Sequence, residues 1–153
     1  TLLDTGLSPT RLELEITETA MILDPARTTH ILRQIKALGV SIAMDDFGVG
    51  YSSLSTLRAF PFDKIKIDRS FIVDLMKKDG STAIIRSITA LADALGMETT
   101  AEGVEDIEQV DVLREQGCSS IQGYLLSKPV QDHEVNPFIT LLQSRAGEFR
   151  AAA

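Results

Sequence analysis

Between Leu12 and Ile16 apolar and acidic residues alternate, Leu-Glu-Leu-Glu-Ile, the period-two pattern of a strand with one wetted face. Asp24-Pro25 then supplies an N-cap with proline in the first helical position. A helix is predicted from about Ala26 to Leu38, with Ile31, Ile35 and Leu38 on its apolar face and Gly39 as its C-terminal stop. Extended structure resumes over Val40-Ser41-Ile42-Ala43-Met44. The unit recurs: Lys64-Ile65-Lys66-Ile67-Asp68 as a strand, a helix from Ser81 to Leu95 closed by Gly96, and the strand Glu98-Thr99-Thr100-Ala101-Glu102. A helix from Ile107 to Gln116, closed by Gly117, leads into a fifth strand, Ser120-Ile121-Gln122-Gly123-Tyr124.

Strands alternating with helices imply an α/β protein with a parallel sheet and right-handed crossovers. Periodicity leaves two architectures open, a (β/α) barrel and a doubly wound open sheet. Five strands are too few for an eight-stranded barrel, which usually takes about 250 residues. A barrel reading therefore implies an incomplete barrel.

Bulk composition narrows the function classes. With 153 residues and 44% hydrophobic content the chain can bury a core. A net charge of −7 argues against a nucleic-acid duplex or an anionic membrane as partner, and a phosphate-bearing ligand would need that charge cancelled locally. Cys118 is the one cysteine, so no disulfide framework exists and a reducing cytoplasm is expected. No apolar run is long enough to cross a bilayer, and Thr1-Leu2-Leu3-Asp4 has no signal-peptide character. A first residue other than methionine reads as an excerpt of a longer protein, whose upstream segments could carry a membrane anchor. Residues 1–144 read as one domain and 145–153 as a tail, disordered or appended. His30 and His133 lack spaced partners, which excludes a zinc site or a histidine-based triad.

The informative feature is where the acids fall. Glu15 with Glu18, Asp45 with Asp46, Asp68, and Glu102 with Glu105 each stand at the carboxyl end of a predicted strand or just beyond it. In parallel α/β folds those ends share the rim where active sites lie. Any one such acid is more often a helix cap, but so many on one rim would repel, and hard divalent cations relieve that repulsion with oxygen ligands. Asp45-Asp46 runs into Phe47-Gly48-Val49-Gly50-Tyr51-Ser52-Ser53-Leu54, whose glycines let backbone approach a ligand closely. Lys66 shares a face with Lys64 and Asp68, and a barrel interior accepts it only if paired. Gln122 is by itself an ordinary strand-end polar residue.

Glu15-Ile16-Thr17-Glu18, the Asp45-to-Leu54 segment, Lys66-Ile67-Asp68-Arg69-Ser70-Phe71, Ala101-Glu102-Gly103-Val104-Glu105 and Gln122-Gly123-Tyr124 resemble the successive motifs of the EAL domain, in order, over about Leu12 to Pro129. The resemblance implies an incomplete TIM-type barrel of about five βα units. It also implies cyclic di-GMP as ligand and metal-dependent hydrolysis to linear pGpG. By the same resemblance Glu15, Asp45 and Asp46 are metal ligands for two ions, Mg²⁺ or Mn²⁺, with Ca²⁺ inhibitory. Lys66 and Glu102 position or deprotonate the attacking water, and Asp68 sits in their cluster. Glu105, Gln122, Gly48 and Ser52 support the ligand or the inner shell, and Glu18 anchors the Asp-Phe-Gly loop.

The family's first metal site also uses the glutamate of the Glu-Ala-Leu signature and an asparagine on the next strand, both upstream of residue 1. The isolated chain is accordingly expected to be inactive and the intact parent active. Val49 replaces a common threonine in the loop. A noncatalytic cyclic di-GMP-binding or protein-interaction module is the alternative, and an unrelated metal-dependent phosphatase a remote third. The resemblance further implies a homodimer and an amino-terminal sensory, receiver or diguanylate cyclase domain in the parent.

Overall fold

The computed structural model describes residues 2–17, 20–21, 24–50, 54–76 and 80–151. Five strands are present: β1 Glu13–Thr17, β2 Ser41–Phe47, β3 Lys64–Ile67, β4 Glu98–Glu102 and β5 Ser120–Gln122. All pair in parallel, in the order β1-β2-β3-β4-β5. That order decides between the two architectures. A doubly wound sheet reverses direction at a switch point, whereas each strand here is laid beside its predecessor, the path of a barrel wall. Among the described residues β1 and β5 each pair on one side only, so the wall is an open arc.

The helices are α1 Leu2–Thr5, α2 Pro25–Ala37, α3 Leu54–Ala59, α4 Arg69–Val73, α5 Ser81–Ala94, α6 Ile107–Glu115 and α7 Asp132–Ala151, with a 3-10 turn over Pro9–Arg11. Asp24 caps α2 as expected, its carboxylate accepting the Arg27 N–H at 3.0 Å. Gly39, Gly96 and Gly117, which follow α2, α5 and α6, all have positive φ. One detail differs from the sequence reading. The buried stripe of α2 is formed by Leu32 with the half-buried Ile35, while Ile31 and Leu38 are 41% and 63% exposed. The helix is rotated so that Leu32 enters the core, and Leu38 lies beyond its last turn.

One face of the arc is apolar. Ile42, Met44, Ile65, Ile67 and Ala101 are fully buried and cluster with Leu32, Leu57, Ile72, Ile85, Ile88, Val110 and Leu113 from the helices. Strand alternation sends the intervening residues to the concave face. There Glu13, Lys64, Lys66, Thr100, Ser120 and Gln122 line a cavity of about 620 Å³. Lys64 pairs with Glu13 at 2.7 Å, and the Thr100 and Ser120 hydroxyls lie 2.7 Å apart. The apolar face thus fixes the wall and leaves its polar face to carry chemistry.

Gly123, directly after β5, has no room for a side chain: a Cβ there would overlap the backbone of Val104. Val104 is itself tied in, donating to the Gln122 carbonyl at 3.1 Å and accepting from the Leu125 N–H at 3.0 Å. Gly123→Ala is expected to cost about 3 kcal/mol or more, the range of severe overpacking. A urea midpoint unchanged from wild type would contradict this packing of β5.

Candidate functional site

Lys66 organises the rim. Its side chain is 5% exposed, and its ammonium lies 2.5 Å from Glu102 Oε1, 2.8 Å from Glu15 Oε1 and 3.1 Å from Asp45 Oδ1. Three strands thus converge on one cation from β3. Burial acts to lower the Lys66 pKa, but hydrogen bonding to Glu102, Glu15 and Asp45 outweighs it and raises the value above the ordinary lysine range. Lys66 is therefore an ammonium at every physiological pH. It can orient a water or meet developing negative charge, but it cannot take a proton.

Asp45 and Asp46 reach the same rim because β2 is irregular. The pairing register of β2 with β3 shifts between Met44 and Phe47, and Asp46 has φ 55°, a left-handed conformation that aspartate tolerates better than most residues. Strict alternation would have sent the two carboxylates to opposite faces. The bulge also carries β2 on to Phe47, three residues beyond the end read from the sequence.

Asp45, Asp46 and Glu102 each offer a carboxylate oxygen, and these oxygens lie within 4.8 Å of one another. Asp45 Oδ1 is withdrawn from solvent, and the partner it faces is the Lys66 ammonium at 3.1 Å. A carboxylate oxygen shielded from water beside two further carboxylates is a donor set suited to a hard divalent cation. The residues present fit such an ion. Glu15, 45% exposed, is held by Lys66 and lies outside this trio.

The remaining predicted residues surround the centre. Asp68 caps α4, accepting the Ser70 N–H at 2.9 Å. Glu105 pairs with Arg69 at 2.7 Å, and both line a pocket of about 220 Å³ together with Glu102, Gly103, Gln122 and Tyr124. Gly103 has φ 70°, and a Cβ there would overlap the Arg69 side chain, so the loop passes beneath that stem only as glycine. Gly48, φ 101°, lies against the Phe71 ring, and Val49 is exposed. Glu18 and Ser52 lie outside the described residues. His30 and His133 are exposed and belong to no such group.

Sequence reasoning missed Gln109. It is 6% exposed in α6; its Oε1 accepts the N–H groups of Glu105 at 2.8 Å and Asp106 at 3.1 Å, and its Nε2 donates to the Ile72 carbonyl at 3.2 Å. The signal was present as Asp106-x-x-Gln109 at a helix start, the spacing of a capping box.

Among the described residues, a parallel (β/α) wall with carboxylates and a buried ammonium at its strand ends defines a barrel-type α/β protein with a donor set that could hold a divalent cation. The chain belongs to the EAL domain family, which matches residues 1–129. It is similar to the cyclic di-GMP phosphodiesterase RocR of Pseudomonas aeruginosa, 46% identical over 82% of this chain and 32% of that protein. Among solved structures it resembles the PaMucR phosphodiesterase in complex with c-di-GMP, with 42% identity, TM-score 0.82 and coverage of 88% of this chain and 54% of that one. It also resembles BlrP1 of Klebsiella pneumoniae, seen in manganese and calcium complexes with cy-diGMP, with 38% identity, TM-score 0.77 and coverage of 84% of this chain and 33% of that one in the manganese form. The chain spans 16% to 32% of the length of the curated relatives it matches. Among the described residues no helix is long and apolar enough to cross a membrane.

Proposed function

We propose that the domain to which this chain belongs hydrolyses cyclic di-GMP to linear pGpG, using two Mg²⁺ or Mn²⁺ ions. The observation that supports it most is the meeting of Asp45, Asp46 and Glu102 on one rim beside the Lys66 ammonium. Asp45, Asp46 and Glu15 would hold the ions, with further ligands contributed by the part of the domain that precedes this chain. Bound divalent ions would supply an acidified water and neutralise the attacking and leaving oxygens of an in-line displacement at phosphorus. Lys66, permanently cationic, orients that water and meets charge developing on the phosphate. Glu102, 2.5 Å from Lys66 and within the trio, is placed to accept the water's proton as the phosphorus–oxygen bond to the leaving sugar breaks.

Asp68 caps the helix that follows Lys66 and so fixes the end of β3. Glu105 and Gln122 line the smaller pocket beside Glu102 and would steady the ligand there. Glu18, Gly48 and Ser52 carry the family's supporting roles in the Asp-Phe-Gly loop. The resemblance to multidomain relatives, among them a bifunctional diguanylate cyclase and phosphodiesterase, favours a cytoplasmic signalling protein with further amino-terminal domains, acting as a homodimer.

Calorimetric titration of the protein with cyclic di-GMP in Ca²⁺, expected to hold the ligand without turnover, tests the reading. Binding that disappears on chelation is expected. Binding that persists unchanged in chelator would favour a noncatalytic ligand module, and no binding would contradict both.

A further inference from the structure

We infer that Gln109 is a positioning residue that aims the loop after β4, and through it Glu102, at the cation site; the inference rests on the reading of Asp45, Asp46 and Glu102 as that site. Glu102 is the last residue of β4, and the chain turns immediately at Gly103. Glu102 is held by its pairing with β5 and by Lys66, and on its carboxyl side by whatever holds residues 103–106. Val104 is fixed to the β5 side through Gln122 and Leu125, and the Glu105 side chain is held by Arg69. That ion pair is exposed, and surface pairs contribute little. The backbone of Glu105 and Asp106 is held from inside by Gln109.

The amide of Gln109 also reaches across to the Ile72 carbonyl in α4, the helix that follows β3 and whose cap is Asp68. A single buried side chain thereby joins the loops of the two strands that carry Lys66 and Glu102. An amide suits this place because the loop presents donors and α4 presents an acceptor. Removing it would take their acceptor from two N–H groups in a part-buried site and cut the tie to α4, whose Ile72 carbonyl keeps the Leu75 N–H at 3.1 Å. A capping box alone would account for the bonds to the loop, but not for the bond to α4.

The measurement is Mn²⁺ binding to the full-length protein that contains this chain by electron paramagnetic resonance, with urea unfolding of each variant alongside. Gln109→Ala is expected to weaken Mn²⁺ binding about 10- to 100-fold, as loss of groups that orient metal ligands does. Gln109→Glu keeps an oxygen for both N–H groups but sets an acceptor against the Ile72 carbonyl, and is expected to recover binding only in part. If Gln109→Ala does not fold, Gln109→Asn, whose amide is withdrawn by one methylene, carries the same expectation. Unfolding shifted with Mn²⁺ affinity unchanged would reduce Gln109 to a helix cap and overturn the inference alone, as would Gln109→Glu binding Mn²⁺ as tightly as wild type. Wild-type full-length protein that binds no Mn²⁺ would overturn the cation-site reading itself, and the inference with it.

Discussion

Lys66→Met is expected to abolish most catalysis and to make the metal-free protein markedly less stable. Removing the ammonium leaves Glu15, Asp45 and Glu102 facing one another with no cation between them. Breaking a buried ion pair by deleting one partner costs about 3–5 kcal/mol. Here about 3 kcal/mol is expected, since the Glu15 side chain is 45% exposed and partly screened by water. Turnover should fall by about 10²- to 10³-fold, the range seen when a preorganised electrostatic contact to a developing charge is removed.

The pH dependence of Lys66→Met has a definite sign. The folded-state pKa of Lys66 is raised, so its stabilisation is fully present below the unfolded value near 10.4 and is lost as pH rises through the folded value. The difference in stability between wild type and Lys66→Met should therefore stay level from neutrality to about pH 10.4 and begin to narrow only above it. Urea midpoints measured from pH 7 to pH 11 would show this, and Mn²⁺ should partly rescue the variant near neutrality by replacing the lost positive charge. A variant as stable as wild type at pH 7 without metal would mean that the three carboxylates do not converge as described.

The second large effect is expected at Asp45→Ala. Asp45 is the residue shared between the Lys66 cluster and the carboxylate trio, and its Oδ1 is withdrawn from solvent. Its loss should lower turnover by about 10³-fold or more, equivalent to about 4 kcal/mol of barrier. Stability should change in the opposite sense to Lys66→Met or hardly at all. Wild type without metal gathers three carboxylates around one ammonium, and removing one relieves repulsion that Lys66 only partly cancels. Low activity together with unimpaired folding is the signature of a ligand rather than of a structural acid.

Much of the wall was legible in the sequence because its signals are local. Alternation in Glu13–Thr17 and Lys64–Ile67, and the glycines that end α2, α5 and α6, each follow from backbone sterics over a few residues. Lys66 was legible as an inward residue for the same reason. The short helices α3 and α4, six and five residues long, were not, since so few residues complete no hydrophobic period. The bulge at Asp46 was also hidden: it depends on a left-handed residue inside a strand, which alternation cannot announce. The closeness of Asp45, Asp46 and Glu102 emerges only when β2 and β4 are placed in three dimensions on either side of β3.

The most direct test is to incubate the full-length protein that contains this chain with cyclic di-GMP and Mg²⁺ or Mn²⁺, and to look for pGpG by mass spectrometry, with Asp45→Ala alongside. The account predicts pGpG from wild type, none from Asp45→Ala, and none from the isolated chain until the preceding part of the domain is restored. Wild-type protein that binds both ion and ligand yet yields no pGpG, or an Asp45→Ala variant that yields as much, would contradict it.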